Sequence, residues 1–352
     1  MRQGNAHQRW ALLLGITITA AASANTQLGG VNLAGAEFGS AVPGTINVDY
    51  AWPSNAELDY FRNRGMNVVR VPFLWERMQP APNGSLDALY LASLDGVVVH
   101  AASMGVRVIL DPHNYARYGG NVIGTVALPN AAFADFWSRL SIHYLGNASV
   151  IFGLMNEPNS MPTEQWASAA NAAIAAIRAN GAQQLILVPG NAWTGAHSWS
   201  QNWYGTPNAT AMLAITDSAD HFAFELHQYF DSDYSGTSSA CASAAGTGAS
   251  QLQGVTTWLR SHGFKGFLGE FAGAANADCQ SAIMSALDHM QTNDDVWLGW
   301  TWWAAGPWWG EYMYTLEPTG NFAIDRPQMS WLLPFMPTPT ELPLFSDGFE
   351  GL

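Results

Sequence analysis

Val150-Ile151-Phe152-Gly153-Leu154-Met155-Asn156-Glu157-Pro158 decides the fold. Six apolar or small residues run without interruption, then give way to an amide, a carboxylate and a proline. A strand with one wet face alternates; a continuous β-forming run marks a strand covered on both faces, as in a parallel sheet wrapped by helices. Seven further segments share this character: 30–38, 67–74, 107–112, 184–189, 222–228, 266–270 and 297–303. Helix-period stretches lie between them. Ser54 with Glu57 spells a capping box and Gly65 a stop for the first helix; others cover 92–104, 131–145, 163–180, 251–262 and 280–291. Eight strands alternating with helices predict an α/β fold of the closed (β/α)8 TIM-barrel type rather than an open doubly wound sheet. No Gly-x-Gly-x-x-Gly opens a helix after a strand, so a dinucleotide site has no support.

The ends of the chain depart from this pattern. Arg2 and Arg9 precede an apolar stretch, 10–22, and Ala22-Ser23-Ala24 offers small residues for cleavage. Residues 1–24 therefore read as an export signal, 25–335 as the catalytic domain, and 336–352 as a Pro-rich tail, stiff or disordered. The apolar stretch is shorter than the about 20 residues a membrane span needs. The expected protein is secreted, extracellular or periplasmic, without a membrane in its mature form, and monomeric. Cys241 and Cys279 are the only cysteines, and in an exported chain a pair is expected to be bridged. Such a bridge would close a loop of about 40 residues, worth roughly 3–4 kcal/mol. Two distant thiols without clustered histidines do not make a zinc site. The 352 residues carry a net charge of −14 and are 11% charged, with a single lysine, Lys265. That balance argues against nucleic acid or an anionic membrane as partner.

In such a barrel chemistry sits at the carboxyl ends of the strands. Arg70 ends the second; Asp111-Pro112-His113-Asn114-Tyr115 ends the third; Asn156-Glu157-Pro158 follows the fourth. Glu225-Leu226-His227-Gln228-Tyr229 ends the sixth, Gly269-Glu270-Phe271 the seventh, and Trp300-Thr301-Trp302-Trp303 the eighth, with Trp308-Trp309 beyond. Any one glutamate there is more often solvated or ion-paired than catalytic, and most tryptophans are core. Here arginine, histidine, Asn-Glu, His-x-Tyr, glutamate and tryptophan fall at successive strand ends of one chain. Two glutamates across a barrel mouth are what acetal hydrolysis requires: one protonates the leaving oxygen, the other attacks the anomeric carbon, at about 5–5.5 Å separation for retention. Pyranose rings present an apolar C–H face, which indole platforms suit. Trp75, Trp193, Trp199 and Trp203 are further cleft candidates, each with packing as the alternative. His143, His262 and His289 read as helix-surface residues, and Gln228 is expected to point to the other face of its strand.

On these motifs, taken in order, the chain resembles glycoside hydrolase family 5, the cellulase family of retaining TIM-barrel hydrolases, from about Gly30 to Leu333. Trp302-Trp303-Ala304-Ala305-Gly306-Pro307-Trp308-Trp309-Gly310 is similar to the last-strand segment of its compact fungal-type endoglucanases. The resemblance implies an endo-β-1,4-glucanase acting on cellulose and related β-glucans by double displacement, with neither metal nor cofactor. It implies Glu157 as acid/base and Glu270 as nucleophile. Arg70 and Tyr229 would keep Glu270 ionised and aimed, and Asn156 would bind the sugar 2-hydroxyl. His113 and His227 would line subsite −1, Trp303 would form its floor, and Trp308 would offer a stacking face nearby. A β-mannanase, xyloglucanase, mixed-linkage glucanase or exo-acting glucosidase keeps the chemistry and changes the sugar. A non-catalytic carbohydrate-binding barrel would not need both glutamates with Asn156 and Arg70. An enzyme of phosphorylated metabolites would need Gly-rich loops where this chain has aromatic ones.

Overall fold

Each apolar run becomes one stave of a closed parallel barrel. The computed structural model describes Met1 and residues 28–337; the expected export signal after Met1, and the expected tail beyond Pro337, lie outside the described residues. The strands are β1 (Leu28–Leu33), β2 (Val68–Phe73), β3 (Arg107–Pro112), β4 (Val150–Gly153), β5 (Ile186–Pro189), β6 (Phe222–His227), β7 (Gly266–Glu270) and β8 (Trp297–Ala305). They neighbour one another in sequence order, and β1 pairs with β8 to close the ring. A two-stranded ribbon, Arg117–Tyr118 with Asn121–Val122, turns through Gly119-Gly120 above β3 and was not expected.

Helices α1 (Asn55–Asn63), α2 (Ala88–Ser103), α3 (Asn130–His143), α4 (Thr163–Ala179), α6 (Thr247–His262) and α7 (Ala277–Thr292) form the sheath. The predicted capping box is present on α1: Glu57 N donates to Ser54 Oγ at 3.3 Å, and Ser54 N to Glu57 Oε2 at 2.6 Å. Helices α2 and α7 begin earlier than their apolar period suggests, because Asp87 and Asn276 accept first-turn N–H groups and so set the start. Between β5 and β6, and after β8, no helix was expected. The structure has only single turns there, α5 (Asn208–Ala211) and α8 (Met329–Leu332), too short to show a period.

The core has two parts. Val68, Ile109, Ile151, Leu187, Ala223 and Phe267 fill the lower barrel. A larger apolar layer joins sheet to sheath, and buried indoles bolt it together: Trp137 Nε1 donates to Leu154 O, Trp166 Nε1 to Pro189 O, and Trp302 Nε1 to Tyr314 O. Trp75 and Trp199 belong to this layer and not to the cleft. Trp75 packs on Phe133 and Phe136, and Trp199 on Phe224 and Trp258. His289 is likewise buried, bonded to Thr256 Oγ1 between α6 and α7, rather than on a helix surface. Cys241 and Cys279 are bridged across 38 residues, tying the loop after β6 to the first turn of α7. Among the described residues no helix is long and apolar enough to cross a membrane.

Candidate active site

Arg70 is the hub of the upper barrel. From β2 it reaches inward, fully buried, and its Nη1 lies 2.9 Å from Asn32 Oδ1, 3.0 Å from Asp111 Oδ2 and 3.1 Å from Glu270 Oε1. Its Nη2 donates to Asn156 Oδ1 at 2.9 Å, and Nε pairs with Glu225 Oε1 at 2.9 Å, off the hydrogen-bonding direction. Burial opposes the guanidinium charge, but Asp111, Glu225 and Glu270 outweigh it and raise its pKa. Asn32, Asp111 and Glu225 were not singled out from the sequence, although acids inside all-apolar strands of a doubly covered sheet must find a partner.

The fourth strand ends at Gly153, sooner than expected, and the chain leaves the sheet through Leu154–Pro158. Asn156 N still donates to Pro112 O at 3.0 Å, and Glu157 then takes φ 41, a left-handed backbone unusual for a residue with a Cβ. With Oδ1 on Arg70, the Asn156 amide turns Nδ2 to His113 Nε2 at 3.1 Å, while His113 Nδ1 meets Asp111 Oδ2 at 2.7 Å. One amide N–H is left over. His113 also stacks on Trp303 at 5.3 Å and 17°.

Glu157 and Glu270 meet at His227. His227 Nδ1 lies 2.8 Å from Glu157 Oε1 and 3.6 Å from Glu270 Oε2, and the nearest ligand atoms of the three all fall within 4.8 Å of one another. Tyr229 O–H donates to Glu270 Oε2 at 2.8 Å. Burial holds the Glu270 carboxyl above its ordinary value, with the His227 cation pulling against it and the neighbouring Glu157 adding to it. Both direct partners, Arg70 and the Tyr229 hydroxyl, donate to it, and donors select the anion. For His227 burial opposes charge, yet Glu270, Glu157 and Glu225 push its pKa up to about 10. Glu157, His227 and Glu270 are also the one cluster among the described residues spaced to hold a metal ion, but their facing atoms are already paired with one another, Arg70 and Tyr229.

A cleft of about 760 Å³ opens beside Glu157, with Trp193, His197, Trp203 and Tyr234 in its walls. Trp193 and Trp203 stay 42% and 54% exposed, so two of the four candidate indoles face the cleft. The turn carrying Trp193 has positive φ at Ala192, Trp193 and Thr194, which no alternation in the sequence announces. Gln228 does face away from the glutamates, and holds this wall: its Oε1 accepts from His197 N at 2.9 Å, and the His197 ring stacks on Tyr234 at 4.0 Å. Trp308 is exposed on the loop after β8, while Trp309 takes the edge contact with Trp303.

A (β/α)8 barrel with paired glutamates, a buried arginine and an aromatic cleft at its carboxyl-terminal mouth defines a glycoside hydrolase. The family described as "Cellulase (glycosyl hydrolase family 5)" matches residues 21–306, and the chain belongs to that family. It is 43% identical over 302 residues to "Endoglucanase gh5-1" of Neurospora crassa, covering 85% of this chain and 75% of that one. To "Endo-beta-1,4-glucanase A" of Emericella nidulans it is 43% identical over 300 residues, 84% and 89% of the two chains. Among solved structures, XacCel5A in complex with cellopentaose superposes with TM-score 0.86 at 48% identity, over 88% of this chain and 99% of that one. The endo-beta-1,4-glucanase Xac0029 from Xanthomonas axonopodis pv. citri does so with TM-score 0.86 at 46% identity, over 88% and 98%.

Proposed function

We propose that this glycoside hydrolase is a retaining endo-β-1,4-glucanase acting on cellulose and related β-glucans. The observation that carries the reading is the approach of Glu157 and Glu270, with Glu157, Glu270 and His227 ligand atoms all within 4.8 Å of one another. That spacing leaves no room for the water an inverting mechanism places between acid and base, and suits direct attack. The names of the relatives reported above, endoglucanases, support the choice of polymer.

In the first step Glu270 bonds to the anomeric carbon as the glycosidic C–O bond breaks, and the leaving oxygen takes the proton of Glu157. In the second, water attacks the same carbon, its proton goes to Glu157, and the ester bond to Glu270 breaks. Arg70 and Tyr229 aim Glu270 by donating to its two oxygens. The free N–H of Asn156 meets the sugar 2-hydroxyl, His113 and His227 line subsite −1, and Trp303 is its floor. Trp193 and Trp203 offer stacking faces along the cleft, with Trp308 a further one on the loop after β8. The wider reading keeps residues 1–24 as a cleaved export signal, 25–335 as the catalytic domain, 336–352 as a tail, and a monomer in solution; the mass and amino-terminal sequence of the exported protein check the cleavage.

Reducing-sugar release from carboxymethylcellulose, barley β-glucan and galactomannan tests the function, with wild type beside Glu270→Ala. Activity on the glucans is expected, falling on the order of 10⁴-fold or more in the variant. Activity mainly on galactomannan would replace the substrate, and folded wild-type protein silent on all three would sink the reading.

A further inference from the structure

We propose that Glu225 is a positioning residue for this reaction: from behind the site it holds His227 as an imidazolium, and so keeps the proton of Glu157 on the oxygen that faces the sugar. The proposal rests on the roles given above to Glu157 and Glu270. It adds a residue that is 1% exposed and closed off from the cleft.

Both ring nitrogens of His227 face carboxylates. Nδ1 is 2.8 Å from Glu157 Oε1, and Nε2 is 3.3 Å from Glu225 Oε1. A neutral ring has one N–H and one lone pair, so it satisfies only one of these oxygens. With Glu225 fixed at Nε2, a neutral ring would need Glu157 to turn its own proton onto Nδ1, leaving none for the leaving oxygen. An imidazolium donates to both, and leaves the second oxygen of Glu157 to carry the catalytic proton. His227 is itself 3% exposed, so side chains supply its counter-charge: Glu225 from its own strand, Glu157 after β4 and Glu270 from β7, with Arg70 from β2 sharing Glu225 Oε1 with the ring. The pKa of about 10 agrees with this arrangement.

The barrel is shaped around Glu225. A Cβ at Gly269 would come within 2.3 Å of Glu225 Oε1 and 2.8 Å of its Cγ. Thus the glycine immediately before Glu270 is there because the Glu225 carboxylate occupies the space of its side chain. Over the cycle His227 keeps both ring protons. It faces the Glu270 carboxylate at first; when Glu270 becomes an ester, it stays beside the Glu157 carboxylate that has just lost its proton.

The test uses the full-length protein and Glu225→Gln. Ring ¹⁵N signals of His227, assigned by their loss in His227→Gln, report its protonation without reference to activity. In the wild type both nitrogens are expected to stay protonated from about pH 5 to about pH 9, whereas in Glu225→Gln the ring is expected to titrate within that window. The alkaline limb of kcat/KM is expected to move acidward by about one pH unit or more in the variant, its loss of activity growing as pH rises. A wild-type ring with a single proton at neutral pH would overturn the proposal, as would a folded variant that keeps the imidazolium and loses activity equally at every pH. Should the variant not fold, the wild-type ring decides alone. Should no glucan be hydrolysed, the ring still reports on Glu225, so failure of the functional reading and failure of this one are told apart.

Discussion

Two layers of the same barrel, one residue pair apart, obey different rules. Val68, Ile109 and Ala223 point inward from β2, β3 and β6 and pack as hydrocarbon. Two residues further along the same strands, on the same faces, stand Arg70, Asp111 and Glu225, which form one buried ionic cluster. The lower layer is held by area and shape, so any side chain of similar volume does nearly as well. The upper layer is held by pairing: every charge has been taken out of water, and each relies on a named partner. Buried ion clusters seldom stabilise more than well-packed hydrocarbon would. The upper layer is therefore explained by what it does to Glu157 and Glu270, and the lower by folding.

Breaking the upper layer should do the most damage. Arg70→Leu leaves Asp111, Glu225 and Glu270 buried without their cation and is expected to lose about 3–5 kcal/mol of stability, together with activity. Denaturant unfolding measures this, and a loss below about 1 kcal/mol would erase the distinction between the layers. Gly269→Ala adds one methyl beside Glu225 and is expected to lose about 1–3 kcal/mol. Its kcat should fall further than that figure explains, since the carboxylate displaced is the one against His227.

Glu57 and Glu317, near the loop after β8, sharpen the comparison, because there two neighbouring acids, both raised by burial, stand without an arginine between them. Burial and the neighbouring Glu57 push Glu317 from 4.5 up to about 7. The folded state then binds the proton more tightly than the unfolded chain. Its contribution to stability is complete below about pH 4.5 and lost as pH rises through about 7. Glu317→Gln keeps an acceptor for Gly306 N, and near neutral pH should stabilise the protein by about 1–2 kcal/mol. Its Tm advantage over wild type should widen between these two pH values; a constant difference would refute the raised Glu317 carboxyl. The smallest effect belongs to the lower layer: Ile109→Val should lose about 0.5–1.5 kcal/mol and leave kcat unchanged.

The two layers also differ in how far they could be read in advance. Eight continuous apolar runs announce strands covered on both sides, and residues at their ends, from Arg70 to Trp303, gather at one mouth as expected. Asp111 and Glu225 stand within strand-end motifs that announce no role for them, because a lone acid in a strand resembles a solvated one until its facing strand is known. The four candidate tryptophans divided two and two, since an indole fits a core or a cleft equally well and loop path decides. The single-turn α5 and α8 were missed because four residues carry no helical period.

One feature of the mouth bears on descent. At φ 41 the Glu157 backbone sits where glycine or asparagine is more comfortable, a strain of about 1–3 kcal/mol for other residues. The acid/base role proposed for Glu157 offsets it. Glu157→Gly should be inactive yet no less stable than wild type, which thermal unfolding would show. Relaxed selection in a descendant that had stopped cutting glycosidic bonds would then favour loss at this position early. Retention of glutamate there is thus a sign of continued use, whereas retention of the hydrocarbon below it says only that the barrel still folds.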